Sequence, residues 1–255
     1  MHTATDTEGP LPRGLYVFAA PLGPEAAGVL PASALRPLLA LRQWWVESEK
    51  GGRRFLLAGY RAAGLTPAEA RERLGLCQLG LLNEHTGADA IGAALGQLAE
   101  GPVGLVSDGG AAAVADPGAP LVLAAHGAGA PVYPQVGPSA LVLALMAAGL
   151  NGQGFTFHGY PPREAGARVR WIRDTERQSQ HTGHTQLCIE APYRTEALVE
   201  ALVATLQPST LLCVAADLTQ PTQWIATRAV ERWRATARPT LKGVPAVVLW
   251  WAEGR

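Results

Sequence analysis

The chain has 255 residues, 48% of them hydrophobic, and its formal net charge is zero. This length is sufficient for one large or two medium domains with a substantial core. The neutral charge balance argues against a strongly electrostatic, non-specific nucleic-acid binder, while leaving room for a local basic patch.

Cysteine usage and the apolar runs bear on the compartment. Three cysteines, Cys77, Cys188 and Cys213, are widely spaced and form no CxxC motif, which predicts reduced thiols in a cytoplasmic protein. The polar N-terminus does not read as a signal peptide. The longest apolar runs, at 140–150 and 244–252, are too short to span a membrane, so we expect no membrane partner.

The first half alternates strand-like and helix-like segments. Residues 1–13 are polar and contain Pro and Gly, which predicts a disordered tail. Helical spacing at 30–41 is interrupted by Pro37, so two short helical pieces are expected there. Strands are further predicted at 15–20, 44–46, 79–82, 104–106 and 132–134, and helices at 51–60, 89–100 and 120–128.

This alternation predicts an α/β fold. Strands and helices of this size form a mostly parallel sheet with right-handed crossovers, which we assign to an N-terminal domain at 14–134. Residues 135–255 read as a second α/β domain with a mixed sheet, because the strand-like runs are less regular and a short connection at 220–224 is typical of a hairpin. Polar turns after the first four strands then share one rim, where open α/β sheets bind ligands.

Residues 105–118 join a strand to two turns of small residues. The strand breaks at Ser107, Asp108, Gly109 and Gly110, and alanines follow. Glycines at the carboxyl end of a strand let the backbone approach a ligand closely, and the small side chains leave room for a flat group. The alternative is a plain strand-to-helix turn that caps a helix.

Charged residues after the second and third strands indicate acid–base chemistry. Glu47, Lys50 and Glu84 follow two neighbouring strands and can serve as general base and positioning cation. The alternative is helix capping by the carboxylates. No GxGxxG follows a strand and no Walker pattern occurs. His181 and His184 have no Cys or carboxylate beside them, so no metal is expected.

A basic segment occupies residues 163–177. If it is helical, Arg170, Arg173 and Arg177 share a face and form a stripe that can contact phosphates. The alternative is a solvated helix face whose charge is balanced by neighbouring acids. These acids are Glu164, Asp174 and Glu176.

A series of motifs resembles the tetrapyrrole-methylase superfamily, in particular the ribosomal RNA small-subunit methyltransferase I branch. The motifs are LYVFAAPLG at 15–23, VESEKGGRRFL at 46–56, LNEHT at 82–86, LVSDGGAAAVADPGAPLV at 105–122, PQVGPSALVLALMAAG at 134–149, FHGYPP at 157–162, IEAPYR at 189–194 and AADLTQPTQWIATRAVERW at 215–233. Each motif alone is weak, but they follow the family's order from residue 15 to about residue 251.

The resemblance implies a methyltransferase that uses S-adenosylmethionine (SAM), bound in a cleft between two α/β domains, and a homodimer. It implies 2′-O-methylation of a ribose in small-subunit ribosomal RNA. For that reaction we expect Glu47 or Glu84 as base and Lys50 or Arg54 to steady a phosphate or the oxyanion. The residues that would border SAM are Pro21, Gly23, Ser107, Asp108, Gly109, Val114, Ala115, Ser139, Ala140, Ala191, Ala216 and Ala246.

Departures from the family pattern keep two alternatives open. The porphyrin and corrin branches carry Gly-Pro-Gly and Gly-Asp-Pro turns where this chain has other residues, which disfavours a tetrapyrrole substrate. The RNA branch usually has Glu-Asp-Thr-Arg where this chain has Glu-Ser-Glu-Lys at 47–50. A methyltransferase acting on a tetrapyrrole or another small molecule, or a SAM-binding module without catalysis, are therefore the alternatives.

Overall fold

The computed structural model describes residues 9–23 and 30–254, which form two compact units divided between Ser139 and Ala140. Gln135 belongs to the first unit, because its amide donates to the carbonyl of Val17. Of the predicted disordered tail, residues 1–8 lie outside the described residues. Leu11, in contrast, packs against the core of the first unit.

The first unit contains a five-stranded sheet in which every pairing is parallel, in the order β4-β3-β5-β1-β7. A two-stranded antiparallel ribbon, β2 with β6, stands beside it. The strands are β1 Leu15–Val17, β2 Ala19–Ala20, β3 Gln43–Val46, β4 Gln78–Leu81, β5 Val103–Val106, β6 Gly110–Ala111 and β7 Val132–Pro134. The helices are α1 Ala32–Ala40, α2 Glu49–Ala62, α3 Pro67–Gly75, α4 Ala88–Glu100 and α5 Ala119–Gly127.

Large aromatic side chains and strand glycines fit together on the faces of this sheet. Trp44 pairs in register with Gly104, and a Cβ atom on Gly104 would lie 2.4 Å from the Trp44 ring. Phe18 and Phe55 complete an aromatic cluster, with ring centroids 5.0 to 5.9 Å apart. On the opposite face, Leu15 and other buried residues pack under the helices. Both faces are therefore covered, as parallel sheets require.

The prediction of two helical pieces at 30–41 is wrong. One helix, α1, runs through Pro37, although a proline removes a backbone donor. Leu38 is fully buried, and a Cβ atom on Gly59 of α2 would lie 2.4 Å from its side chain. This close packing on α2 outweighs the local cost of the proline.

The second unit contains a mixed five-stranded sheet, in the order β11-β10-β12-β9-β8. Only the β8–β9 pair in it is parallel, and β10 with β11 forms the predicted hairpin. The strands are β8 Phe155–Phe157, β9 Thr185–Glu190, β10 Leu211–Ala216, β11 Trp224–Ala229 and β12 Ala246–Trp251. The helices are α6 Ala140–Ala148, α7 Ala165–Thr182, α8 Thr195–Thr205 and α9 Val230–Ala235, with a 3-10 turn at Pro192–Arg194.

Both sheets confirm the predicted α/β class, with a parallel first sheet and a mixed second sheet. The three cysteines are free thiols, and burial raises the pKa of Cys188 and Cys213. Within residues 9–23 and 30–254, no helix combines the length and apolarity needed to cross a membrane.

Candidate active site

Polar turns of the first unit gather at one edge of its sheet. Strands β1, β3, β4 and β5 run parallel, so the turns that follow them leave from the same edge, as predicted. The ribbon adds a second constraint, because Ala20 pairs with Gly110. This pairing brings the turn at residues 21–23 beside the turn at residues 107–110.

An open pocket lies between these turns and helix α2. Its lining residues are Ala20, Pro21, Gly23, Gly51, Arg54, Phe55, Ala58 and Asp108. Gly109 lies beside it, and a Cβ atom on Gly109 would meet only the carbonyl oxygen of Pro21, at 3.8 Å. The pocket is therefore bordered by backbone, by small side chains and by the ring of Phe55, with the charged groups of Arg54 and Asp108 also lining it.

Asp108 connects the charged groups of this edge. Its amide donates to Glu47 Oε2 at 3.0 Å, and its carbonyl accepts from the guanidinium of Arg54 at 3.0 Å. Its carboxylate oxygens both lie 2.8 Å from Ser48 Oγ, which donates to them. The backbone and side chain of one residue thus hold the turns after β3 and β5 together with α2.

The start of helix α2 lies beside the Asp108 carboxylate. Ser48 is its N-cap and accepts from the amide of Gly51 at 3.0 Å, which satisfies one of the donors exposed at a helix start. A Cβ atom on Gly51 would lie 1.8 Å from Asp108 Oδ1. Glycine at position 51 is therefore what allows the Asp108 carboxylate to lie over the first turn of the helix.

Glu47 and Glu84, the two candidate bases, lie in different surroundings. Glu47 is half-buried, and this burial raises the pKa of its carboxyl group, assisted by the negative charges of Asp108, Asp116 and Glu84 and opposed by the Asp108 amide. Glu84 is 84% exposed and lies 3.5 Å from the imidazole of His85. Lys50 is exposed in the first turn of α2.

The segment after β6 holds an unusual backbone. Ala113 and Ala115 have φ values of 65° and 59°, a left-handed conformation that costs a non-glycine residue roughly 1–3 kcal/mol. Asp116 Oδ1 stabilises the turn by accepting from the amides of Ala113 at 2.9 Å and Gly118 at 2.6 Å. Val114 and Ala115 are left exposed at its tip.

Ser107 is buried, and its hydroxyl donates within its own turn to the carbonyls of Gly109 and Gly110. It therefore stabilises the turn locally, with only 5% of its surface exposed. Ser139 ends the first unit, and Ala140 begins α6 in the second.

Three predicted residues, Ala191, Ala216 and Ala246, lie near one another at the ends of inner strands of the second sheet. Ala216 pairs with Ala246, and Ala246 pairs with Glu190, which precedes Ala191. The side chain of Glu190 is fully buried, and its Oε1 accepts from the guanidinium of Arg194 and from the amide of Ala191. This pair fixes the chain where β9 turns into the following helix.

The structure thus forms two groups of predicted residues, one in each unit. In the first unit, Glu47, Arg54 and Asp108 are joined by hydrogen bonds, whereas the exposed Glu84 and Lys50 stand outside that network. Among the residues that the structure describes, no cluster of three or more His, Cys, Asp or Glu can hold a metal ion.

Sequence reasoning missed several residues of the two groups. The missed residues are Ser48, Gly51, Asp116, Glu190 and Arg194. The pair Gly51-Gly52 was a usable signal, because two glycines at a helix start indicate a close approach. Glu190 and Arg194 are only four residues apart, but the burial of Glu190 depends on a strand that is distant in sequence, so the local pattern does not indicate it.

Sequence comparison finds relatives named ribosomal RNA small subunit methyltransferase I. The chain is 36% identical over 143 residues to the one from Neisseria meningitidis serogroup B, which covers 54% of this chain and 45% of that protein. The chain is 31% identical over 169 residues to the relative from Escherichia coli O157:H7, which covers 63% of this chain and 58% of that protein. It is 41% identical over 113 residues to the relative from Micromonospora olivasterospora, which covers 44% of this chain and 35% of that protein. The chain spans about half the length of the curated relatives it matches, and no family model matches it.

Structure comparison extends over nearly the whole chain. The methyltransferase CobJ superposes with a TM-score of 0.57 at 20% identity, covering 93% of this chain and 94% of that one. The uroporphyrin-III-C-methyltransferase of Thermus thermophilus gives 0.51 at 21% identity, covering 93% of each chain. A conserved hypothetical protein of Aeropyrum pernix K1 gives 0.64 at 15% identity, covering 96% and 86%. The chain therefore has the tetrapyrrole-methylase fold, and the sequence matches confirm its resemblance to ribosomal RNA small subunit methyltransferase I.

Proposed function

We propose that the chain is a SAM-dependent methyltransferase that modifies a ribose 2′-hydroxyl of small-subunit ribosomal RNA. The names of its sequence relatives support methyl transfer and a small-subunit ribosomal RNA substrate, and the ribose 2′-hydroxyl follows from the family resemblance. The observation that carries the proposal is the half-buried carboxylate of Glu47, held against the Asp108 amide beside an open pocket. We expect the protein to act in the cytoplasm as a homodimer.

The residues beside the pocket suit SAM by their chemistry. Gly109 and Ala20 present no bulky side chain, so a flat adenine can approach the backbone there, while the pocket itself, with a volume of about 30 Å³, takes only a small part of the cofactor. When bound, SAM supplies a methyl group that its sulfonium makes electrophilic. The residues that would hold it are Pro21, Gly23, Ser107, Asp108, Gly109, Val114, Ala115, Ser139 and Ala140, with Ala191, Ala216 and Ala246 from the second unit.

Glu47 is the residue we assign as general base. A ribose hydroxyl becomes a good nucleophile as its proton is accepted, and a positioned base typically contributes about 10²–10⁴-fold. Burial raises the pKa of Glu47, which makes its carboxylate a stronger proton acceptor than a surface glutamate. Glu84 is exposed, so we retain it only as the comparison for Glu47.

Arg54 and Lys50 are the cations we assign to substrate positioning. Arg54 donates one N–H group to the Asp108 carbonyl, which leaves other guanidinium donors for a phosphate or for the developing oxyanion. Lys50 adds a mobile point charge in the first turn of α2. Aligning the hydroxyl with the methyl group is worth roughly 7–11 kcal/mol of the barrier when the geometry is productive.

The test is transfer of labelled methyl from SAM to small ribosomal subunits that lack the modification. We expect label in ribosomal RNA, at a 2′-O position in the digested nucleosides. Subunits that already carry the modification are the control. Label in bases alone, or none in RNA, contradicts the proposal.

A tetrapyrrole substrate is the second candidate, because CobJ and uroporphyrin-III-C-methyltransferase share the fold over nearly the whole chain. A panel of tetrapyrroles in the same assay separates the two reactions. Calorimetric SAM binding without transfer to either substrate class would instead indicate a binding module without catalysis.

A further inference from the structure

Helix α7 of the second unit has one buried face and one face rich in arginine. Ile172, Thr175 and Ser179 are buried and pack inward. On a helix, residues at i, i+3 and i+7 lie on one side, and Arg170, Arg173 and Arg177 occupy such positions and are exposed. These three residues are called the arginine face. It extends about 10 Å along the helix axis.

The acids of the same helix are engaged elsewhere. Glu164 is the N-cap, and its carboxylate accepts from the amides of Gly166 at 2.7 Å and Ala167 at 2.5 Å. Glu176 is 4% exposed, and its Oε1 accepts from the Gln207 amide and the Thr210 hydroxyl. These hydrogen bonds hold the two carboxylates in capping and in joining α7 to the chain after α8, although the charge of Glu164 still acts on Arg170.

Asp174 is the acid that remains on the outer side of α7. It pairs with Arg177, and the two side chains are 61% and 75% exposed. An ion pair this exposed contributes little to stability, so a phosphate can compete for Arg177. The three guanidinium groups of the arginine face are therefore accessible to a ligand from solvent.

An open polar groove continues from the arginine face. It lies between α7 and residues 205–209, and the side chains lining it are Arg173, Glu176, Arg177, Gln180, Thr205, Gln207, Ser209 and Glu253. The carboxylates of Glu176 and Glu253 offset the two arginines of the groove, so the groove contributes hydrogen-bonding amide and hydroxyl groups for phosphate and sugar oxygens rather than net charge. Because the whole chain has no net charge, any attraction for a polyanion must come from a local surface such as the arginine face.

We propose that the arginine face of α7 and its adjoining groove bind the phosphate backbone of the RNA substrate, outside the pocket of the first unit. The inference rests on the proposed function, because it takes RNA as the substrate. Arginine suits this role, since its guanidinium matches phosphate geometry and stays charged at any working pH. Each arginine that contacts a phosphate releases counterions, which makes the affinity depend on salt.

The experiment compares the wild-type protein with a triple variant, Arg170→Gln, Arg173→Gln and Arg177→Gln. The matched control carries Arg61→Gln, Arg71→Gln and Arg232→Gln, which also remove three exposed arginines. Binding of unmodified small-subunit RNA is measured from 50 to 200 mM salt, together with KM, kcat, SAM affinity and Tm. The salt slope of binding becomes shallower by about 0.7–0.9 for each phosphate that the protein no longer neutralises.

We expect the triple variant to bind RNA about tenfold or more weakly and its salt slope to fall by about 2. KM for RNA should rise, while SAM affinity, Tm and kcat at saturating RNA stay unchanged. Equal affinity and slope in the triple variant and the control overturn the inference. If the wild type binds RNA through the arginine face but transfers no methyl group, the inference stands and the proposed reaction fails. Absence of any RNA binding by the wild type overturns both.

Discussion

Glu47 and Glu84 follow neighbouring strands of one sheet, yet their surroundings differ at the scale of single residues. Glu47 is half-buried against the Asp108 amide, whereas the side chain of Glu84 is exposed to solvent. A carboxyl group that is desolvated in this way favours its neutral form, so its pKa rises. The role of Glu47 can therefore be tested through pH.

Substituting Glu47→Gln tests the assignment of the base. A base must be ionised, so kcat of the wild type should fall as the pH drops through the pKa of Glu47, which lies above its usual value of 4.5. The variant should retain SAM binding, lose about 10²–10⁴-fold in kcat, and lack this acidic limb. Glu84→Gln is the control. Unchanged turnover in Glu47→Gln contradicts the assignment, whatever the turnover of Glu84→Gln.

The same substitution has a consequence for stability. Because the folded state raises the pKa of Glu47, the native protein binds more protons than the unfolded chain between pH 4.5 and that raised value. Its contribution to stability is therefore present at low pH and lost as the pH rises through the raised pKa. Glu47→Gln should consequently not lower Tm at neutral pH, which thermal unfolding at pH 5 and pH 7.5 checks.

Gly51 is a second residue whose role can be tested, because only a residue without a side chain leaves room for the Asp108 carboxylate. In Gly51→Ala, the added Cβ would lie 1.8 Å from Asp108 Oδ1, so the carboxylate must move and its bond to Ser48 breaks. We expect weaker SAM binding together with a lower Tm. Gly109→Ala is the matched control for stability, because its Cβ meets only the Pro21 oxygen at 3.8 Å. A Gly51→Ala protein with normal SAM affinity would refute the role of Asp108.

At the scale of elements, two helices of the first unit, α2 and α3, both begin with a side-chain N-cap. Ser48 caps α2 at the pocket, and Thr66 caps α3 through a reciprocal capping box with Glu69. Either cap is worth about 1 kcal/mol of stability. Only Ser48 also donates to Asp108.

The two caps give a matched pair of variants. Ser48→Ala and Thr66→Ala should each destabilise the protein by about 1 kcal/mol, measured by urea unfolding. Ser48→Ala should in addition weaken SAM binding and lower turnover, because the Asp108 carboxylate loses its donor. Equal SAM affinity in the two variants would show that Ser48 serves only to start the helix.

The same scale shows where local patterns succeed and fail. The capping box Thr66-Pro67-Ala68-Glu69 is a local signal for the start of α3, although α3 is not among the helices predicted from apolar periodicity. Pro37 gives the opposite case, since a local rule predicts a break and packing of Leu38 against α2 overrides it.

At the scale of the whole molecule, the resemblance assigns SAM contacts to both units. Gly109 belongs to the first unit, and Ala191 lies at the edge of the second sheet beside Glu190. Each unit has its own hydrophobic core. A bulky group at either position therefore tests the contribution of one unit without removing the core of the other.

We expect Gly109→Val and Ala191→Leu each to weaken SAM binding by tenfold or more while Tm changes little. Ala197→Leu, an exposed position on α8, is the control and should bind normally. Calorimetric titration measures the three affinities. If Gly109→Val binds SAM like the wild type, the turn at 107–110 is only a connector. Normal binding by Ala191→Leu would remove the second unit from the cofactor site.

The sequence by itself determined the α/β class, the parallel first sheet, the mixed second sheet and the resemblance to the methyltransferases. These follow from periodicity, from punctuation by Gly and Pro, and from the order of motifs, all of which are local or additive along the chain. Only the tertiary structure decided which residues meet. The hydrogen bonds of Asp108 to Glu47, Ser48 and Arg54 join positions 54 to 61 residues apart. Contacts between such distant residues depend on the pairing of β3 with β5. The local sequence of either strand does not determine its partner.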